Sequence, residues 1–187
     1  MADLRQALYQ QWMTAARGWP NDEALAQMLA THYSGGGSLP TGLGLIPAEF
    51  AAVLHRHFPD AKTPDGFQPI LPTWDSRLLE EREELVRLLR GHRANQDESE
   101  LWISEIVAAG CMASDHLWHD LGLWSRRELS ALMAHNFPTL AAKNDRDMKW
   151  KKFLYKQLCQ QEGVYFCRAP ACELCADYAH CFGPEEG

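Results

Sequence analysis

The stretch DSRLLEEREELVRLLRGH, residues 75–92, decides the fold class. Its apolar residues recur at spacings of three and four, and glutamates and arginines fill the positions between them. This period matches the 3.6 residues of an α-helical turn and predicts an amphipathic helix. The side chains predicted to face a core are Leu78, Leu85, Leu88 and Leu89.

Similar patterns recur along the chain, and we find no strand-like alternation, no internal repeat and no low-complexity tract. Start signals support several of these helices: Asp3 is a predicted N-cap, Pro47 a predicted first-turn residue, and Ser125-x-x-Glu128 a capping box. The sequence therefore predicts an all-α bundle of about seven or eight helices. The predicted helices cover residues 3–18, 21–33, 47–58, 75–92, 97–113, 115–123, 125–137 and 145–163.

The predicted domain organisation is a helical domain over 1–163 and a metal-binding segment over 164–187. The glycine- and proline-rich stretch SGGGSLPTGLGLIP, residues 34–47, cannot be a helix interior and is a candidate hinge or functional loop. The polar segment 91–97 is a candidate linker. The last segment has too few apolar residues for a core, so we expect an irregular cysteine-rich loop that a bound metal centre stabilises.

Composition is ordinary for a soluble globular protein, with 46% hydrophobic and 23% charged residues among 187. The apolar runs are far shorter than the roughly 18 residues that a membrane span needs. No apolar signal-peptide core follows the N-terminus. We therefore expect a cytoplasmic protein without membrane spans. Thiols are kept reduced in that compartment, so clustered cysteines predict metal binding or catalysis rather than disulfides.

The net charge of −7 is unevenly spread, because residues 143–168 hold seven basic and three acidic side chains. This basic band predicts a docking surface for an anion or an acidic partner, and a solvated helix face is the alternative. The band's candidate docking residues are Lys149, Lys151, Lys152 and Arg168. The acidic chain as a whole disfavours nucleic acid as a partner, since neutralising phosphates supplies most of that affinity.

The strongest chemical signal is CRAPACELCADYAHC, residues 167–181, with the spacing C-x4-C-x2-C-x5-C. Thiolates are soft ligands suited to zinc, copper(I) and iron–sulfur clusters. Structural zinc sites usually have two C-x2-C pairs, whereas this stretch has one, flanked by single cysteines. The spacing favours an iron–sulfur cluster and leaves zinc open. The predicted metal ligands are Cys167, Cys172, Cys175 and Cys181.

Three further residues, Cys159, His116 and His119, are weaker candidate ligands, and Cys111 is predicted to be structural. Cys159 lies eight residues before the cluster and is either an additional ligand or a cysteine packed on the bundle. Cys111 is predicted to be a buried small hydrophobic residue. His116 and His119 are spaced i, i+3 and share a helix face, so they are candidate accessory metal ligands, although an isolated pair of this kind is more often structural.

Several stretches resemble the NifQ family of nitrogenase accessory proteins. They are MKWKKFLYKQLCQQEG (148–163), followed by the four-cysteine motif and CFG, then SDHLWHDLGLWSRRELSALMAHNFPTLAAKN (114–144) and SLPTGLGL (38–45). The resemblance spans most of the chain and is densest after Glu100.

The resemblance implies a role in nitrogen fixation, in the biosynthesis of the iron–molybdenum cofactor. It implies a [4Fe-4S] or [3Fe-4S] cluster on the four cysteines that takes up molybdenum from molybdate or another source. The Mo–Fe–S precursor would pass to the cofactor-assembly scaffold, with the nitrogenase iron protein taking part. On this basis we expect a metallocluster carrier rather than an enzyme. The sequence also lacks an evident nucleophile–base pair and a phosphate-binding glycine loop.

Two alternatives belong to other classes of protein. The first is a zinc-stabilised helical adaptor. The second is a helix-hairpin-helix DNA glycosylase with an iron–sulfur loop, since SLPTGLGL resembles the L-P-x-G-x-G hairpin of that class. Against the glycosylase, the helix predicted after the hairpin begins IPAEF without a basic residue, and no catalytic Lys/Asp pair follows.

Overall fold

The computed structural model describes residues 2–63, 73–161 and 178–185, and in those ranges the regular structure is helical, with no strand. The all-α prediction is confirmed. Seven helices are longer than ten residues, and α6, α8 and α10 are single turns of four or five. The helices are α1 (Ala2–Thr14), α2 (Asp22–Tyr33), α3 (Pro47–His57), α4 (Ser76–Gly91), α5 (Ser99–Cys111), α6 (Leu117–Asp120), α7 (Arg126–Asn136), α8 (Pro138–Ala141), α9 (Trp150–Gln161) and α10 (Tyr178–Phe182).

The amphipathic helix α4 forms as its pattern predicts. Asp75 caps it, because its side chain accepts a hydrogen bond from the Leu78 backbone N–H at 2.9 Å. The buried residues are Leu85, Val86, Leu88 and Leu89, and each buried leucine contributes about 2 kcal/mol of transfer free energy. Leu78 is only half-buried. On the facing side of α5, the Glu105 carboxylate accepts hydrogen bonds from two arginines of α4.

One hydrophobic core extends from α1 to α9 and includes residues on both sides of segment 91–97. Within it, the Trp12 ring meets the Phe58 ring edge-on, with centroids 5.3 Å apart. Segment 91–97 is a tight connection between α4 and α5, which pack together. The Ala94 N–H donates to the Asn136 carbonyl at 2.9 Å. The buried Glu100 carboxylate accepts the backbone N–H groups of residues 95, 96 and 97.

Two adjacent groups of buried polar side chains, which together we call the polar knot, connect four helices and the residue that precedes α2. The knot consists of Asn21, Asp22, His57, Ser99 and Asn136. The amides of Asn21 and Asn136 bond to each other in both directions, at 2.8 and 2.9 Å, and Asn21 also donates to Ser99 Oγ at 2.7 Å. Asp22 lies 2.5 Å from His57 Nδ1. These hydrogen bonds offset the cost of burying polar side chains, and His57 Nε2 is the atom of the knot without a hydrogen-bond partner among the described residues.

The glycine-rich stretch 34–47 is non-helical up to Pro47, as predicted, and it packs into the core. Leu43 and Leu45 are 0% and 1% exposed. Gly44 has φ of +79°, and a Cβ at this position would lie 2.6 Å from the Ala109 side chain. Glycine is therefore required here for both its backbone conformation and its close approach to α5.

Several predicted helix ends differ from the structure. α1 begins at Ala2, so Asp3 lies inside the helix and its prediction as an N-cap is wrong. α9 begins at Trp150 rather than 145, because the Asn144 side chain closes a turn by bonding to both the N–H and the carbonyl of Met148. Ser125 caps α7 as predicted, accepting from the Glu128 N–H at 3.4 Å.

Among the residues described, no helix is both long and apolar enough to cross a membrane.

Candidate metal-binding region

Three of the four predicted metal ligands, Cys167, Cys172 and Cys175, lie outside the described residues, as does Arg168. Cys181 lies within them, in α10. In residues 2–63, 73–161 and 178–185, no three His, Cys, Asp or Glu side chains converge on a metal position. The four-thiolate set and the domain boundary at 163/164 therefore stay predictions.

Cys181 is held against the beginning of α9. Its carbonyl accepts a hydrogen bond from the Lys149 N–H at 2.8 Å, and the side chains of Cys181 and Phe182 pack half-buried against the core. The first N–H groups of a helix have no partner within the helix, so this end of α9 has donors to offer. Where an irregular loop was expected, residues 178–182 form a short docked helix.

Glu185, just after α10, adds an ionic attachment that we call the C-terminal clamp, formed by His116, Arg126 and Glu185. The Glu185 side chain is 3% exposed, and its Oε1 lies 3.4 Å from Arg126 Nη1 and 3.7 Å from His116 Nδ1. Arg126 also donates to the Asp147 carboxylate at 2.8 Å and to the Met148 carbonyl at 3.2 Å. The start of α7 therefore fixes both the C-terminal residues and the turn before α9.

The two candidate histidine ligands contact different carboxylates. His116 belongs to the clamp, whereas the half-exposed His119 has its Nδ1 3.1 Å from the Asp115 carboxylate. Asp115 also accepts the backbone N–H of His116 at 2.7 Å, and this hydrogen bond lowers the pKa of the Asp115 carboxyl. Both histidines thus have a carboxylate neighbour, and their role as metal ligands stays a prediction.

Lys151 has a different environment from the other predicted docking lysines. Its Nζ donates to the Ala113 carbonyl at 2.8 Å and to the fully buried carboxylate of Asp120. A lysine paired inside the protein does not present its charge to a ligand, so Lys151 is corrected from a docking residue to a structural one. Lys152 is exposed and Lys149 is half-buried, so both keep the predicted accessibility.

The other two described cysteines differ in burial. Cys111 is buried, and burial raises its pKa to about 12, so it stays a neutral thiol at pH 7 and packs as a small hydrophobic residue, as predicted. Cys159 is half-buried near the end of α9. It follows Lys149, where Cys181 docks, by ten residues, which is about 15 Å along a helix. Cys159 therefore lies near the C-terminal end of α9, whereas Cys181 docks at its N-terminal end.

Sequence reasoning missed the clamp. Arg126 and Glu185 are far apart in the chain and belong to no motif, and the only local signal is that Arg126 follows the predicted cap Ser125.

The sequence profile of the NifQ family matches residues 24–183. This range covers most of the chain, including the four-cysteine motif. The chain belongs to the NifQ family. The resemblance found in the sequence is confirmed.

Curated relatives agree with this assignment. The chain is similar to Protein NifQ of Azotobacter vinelandii, with 44% identity over 170 residues, covering 86% of this chain and 87% of the relative. It is 38% identical over 161 residues to Protein NifQ of Rhodobacter capsulatus, covering 86% and 87%. It is 37% identical over 164 residues to Protein NifQ of Klebsiella pneumoniae, covering 84% and 96%. No solved structure matches the chain.

Proposed function

We propose that this NifQ family member is a metallocluster carrier of the cytoplasm that serves nitrogenase cofactor assembly. It binds an iron–sulfur cluster through Cys167, Cys172, Cys175 and Cys181, takes up molybdenum as its cargo, and delivers a Mo–Fe–S precursor. The recipient is the cofactor-assembly scaffold, and the nitrogenase iron protein takes part in the delivery. The observation that carries the proposal is the family match over residues 24–183, which includes all four cysteines.

The donor chemistry of the segment fits this cofactor. Four thiolates within fifteen residues are soft ligands of the kind that iron–sulfur clusters take. When bound, a cluster with an open corner supplies a position for a fourth metal. We call the helices α1 to α9, which share the core, the body. Cys181, the one predicted ligand that lies in the described residues, is half-buried at the edge of the body, so the core does not enclose its thiol.

The body's role in this function is to position the last ligand. The Lys149 N–H holds the Cys181 carbonyl, and the clamp holds Glu185 four residues later. A carrier must also release its cargo, and a ligand on a short, half-buried helix at the surface opens more easily than a ligand inside a core.

The test is metal analysis and electron paramagnetic resonance on anaerobically purified full-length protein, before and after molybdate is added. We expect brown protein with broad visible absorption, near-stoichiometric iron, and a spectrum that changes when molybdenum is taken up. Cys172→Ala should lose most of the iron. The matched control Cys111→Ala removes a buried thiol of the body and should keep it.

Colourless protein that contains one zinc would overturn the proposal and support the zinc-stabilised adaptor instead. In cells, a Cys172→Ala strain that fixes nitrogen normally at limiting molybdate would also count against it. The family assignment disfavours the DNA-glycosylase alternative. The stretch that resembles its hairpin packs here against α5 through Gly44.

A further inference from the structure

A groove of about 250 Å3 lies beside α10, between the turn that precedes α9 and one face of α9. From α9, Lys156, Gln157 and Gln160 line it, at positions that share a helix face. Lys143 and Arg146 line it from the turn, and Phe182 of α10 from the edge. We call this the basic groove.

The groove is positively charged, because its three cationic side chains outnumber the single carboxylate of Asp145. In the described ranges, no carboxylate lies within the 4.0 Å of an ion pair from the Nζ of Lys143 or Lys156. Lys143 has a histidine neighbour instead: its Nζ is 3.5 Å from His92 Nε2. Burial and then Lys143 itself lower the pKa of His92, so this neighbour is neutral at pH 7.

The walls of the groove are fixed before any ligand arrives. The turn is closed by the two hydrogen bonds between the Asn144 side chain and the Met148 backbone, both 2.9 Å. Met148 and Phe153, which also line the groove, are 7% and 3% exposed and anchor its base in the core. Preorganised walls reduce the entropy that a ligand must overcome.

We propose that the basic groove binds a tetrahedral oxyanion, molybdate, next to the helix that carries Cys181. The anion class follows from the groove, because two ammonium groups without a carboxylate partner match a dianion. The amides of Gln157 and Gln160 bond to each other at 3.1 Å and keep further N–H groups as neutral donors. A low-dielectric base strengthens these charge interactions relative to those in open water. The choice of molybdate among oxyanions rests on the proposed function.

The proposal differs from the docking surface predicted from sequence. That prediction centred on Lys149, Lys151, Lys152 and Arg168, of which Lys151 is paired with Asp120. The groove uses Lys143 and Lys156, which the same basic band contains and which come together only when the turn folds back on α9. A walled groove fits a small rigid anion better than the flat surface of an acidic protein.

The first experiment is isothermal titration of molybdate into the full-length, iron-free protein at low salt. We expect saturable binding that the double variant Lys143→Gln/Lys156→Gln weakens at least about tenfold, because two charge-assisted contacts are lost. The matched control is Lys62→Gln, an exposed lysine outside both the groove and the basic band, which should stay within about twofold of the native protein. Circular dichroism and thermal unfolding establish that both variants fold.

A second readout uses His92 as a reporter. An anion beside Lys143 offsets the lysine's charge, so saturating molybdate should raise the pKa of His92 in an NMR titration of the imidazole C–H. In the double variant the addition of molybdate should leave the pKa of His92 unchanged. A molybdate-independent His92 pKa in the native protein would overturn the placement of the anion.

Other outcomes separate the groove from the proposed function. Absence of binding at millimolar molybdate, or equal binding by the double variant, would overturn the groove. Displacement by equimolar sulfate or phosphate would overturn the assignment to molybdate. If the iron-loaded protein takes up molybdenum equally well in native and double-variant forms, the groove fails and the carrier function stands. If the groove binds molybdate and iron-loaded protein never incorporates molybdenum, the carrier function fails and the groove stands.

Discussion

The polar knot and the C-terminal clamp both tie together distant parts of the chain through buried polar side chains, and they differ in chemistry and in position. The knot is buried, its amide members pair in both directions, and it lies inside the hydrophobic core. The clamp consists of ion pairs at 3.4 and 3.7 Å at the edge of the body, next to a helix of five residues.

The knot and the clamp therefore have different roles: the knot holds the helices together, and the clamp attaches the C-terminal residues. Hydrogen bonds between buried side chains of different helices favour one arrangement of those helices, and opening them requires the body to unfold. A five-residue helix whose described side chains are half-buried or exposed opens locally at a smaller free-energy cost than the core does. We therefore expect the body to fold without metal. We expect the cysteine-bearing segment to be held more firmly when metal is bound. The predictions below test this division.

The largest loss of stability should follow Gly44→Ala in the stretch that packs on α5. The new Cβ would lie 2.6 Å from the Ala109 side chain at a φ of +79°. We expect a loss of about 4 kcal/mol in the free energy of unfolding, from backbone strain together with overpacking. Urea denaturation of the iron-free protein measures this loss.

Gly35→Ala is the matched control for Gly44→Ala. Gly35 has nearly the same φ, +82°, but no atom within 4 Å of an added Cβ, so it should lose only about 1 kcal/mol through strain. Equal losses at the two positions would contradict the close packing of stretch 34–47 on the body.

Asn136→Ala should come next, because it removes one member of the polar knot. The change leaves the buried Asn21 amide without its reciprocal partner, for an expected loss of about 3 kcal/mol in the free energy of unfolding. Gln6→Ala, on the exposed face of α1, should change it by less than about 0.5 kcal/mol. A loss at Asn136 no larger than at Gln6 would show that the knot does not hold the body together.

Glu185→Gln should barely change global stability and should instead loosen α10. Without the carboxylate charge, Arg126 and His116 hold the C-terminal residues less tightly. In iron-free protein we expect maleimide to alkylate Cys181 about fivefold faster, corresponding to about 1 kcal/mol of local opening, as followed by mass spectrometry. Asp145→Asn changes an exposed carboxylate outside the clamp and should leave the rate unchanged. An unaltered rate in Glu185→Gln would remove the clamp from the account.

Acid should weaken the body gradually. Burial lowers the pKa of His32 and of His92, the latter also through Lys143. The unfolded chain then binds more protons than the folded chain, so stability is complete above the ordinary histidine pKa of about 6.5 and falls as pH drops through the folded-state values. Urea unfolding at pH 7.5 and 5.5 should show this loss, and His92→Gln should reduce it. Stability that rises towards pH 5.5 would contradict the sign.

Much of the fold follows from local pattern. The spacing of leucines in α4 and the Ser125 cap of α7 are set within one or two turns, so periodicity and capping rules find them. The prediction of Asp3 as an N-cap was wrong because a polar residue near the start of a helix need not cap it. The burial of Leu43 and the close approach of Gly44 to Ala109 depend on distant residues, which a linear pattern does not record.

The site divides in the same way. The four cysteines are recognisable from spacing and family resemblance, because their chemistry is written into neighbouring positions. The pairing of Lys151 with Asp120, the link from Arg126 to Glu185 and the groove between Lys143 and Lys156 arise only from tertiary packing. Lysines of one basic band in the sequence therefore have different environments in the structure: Lys151 is paired with Asp120, whereas Lys143 and Lys156 line the groove.

The division between body and metal-binding segment is tested most directly by hydrogen–deuterium exchange on iron-free and iron-loaded protein under anaerobic conditions. We predict that iron loading raises protection in peptides covering residues 164–185 and leaves protection in α1 to α8 unchanged. Protection that rises throughout the body, or fails to rise at the C-terminal peptides, would contradict it.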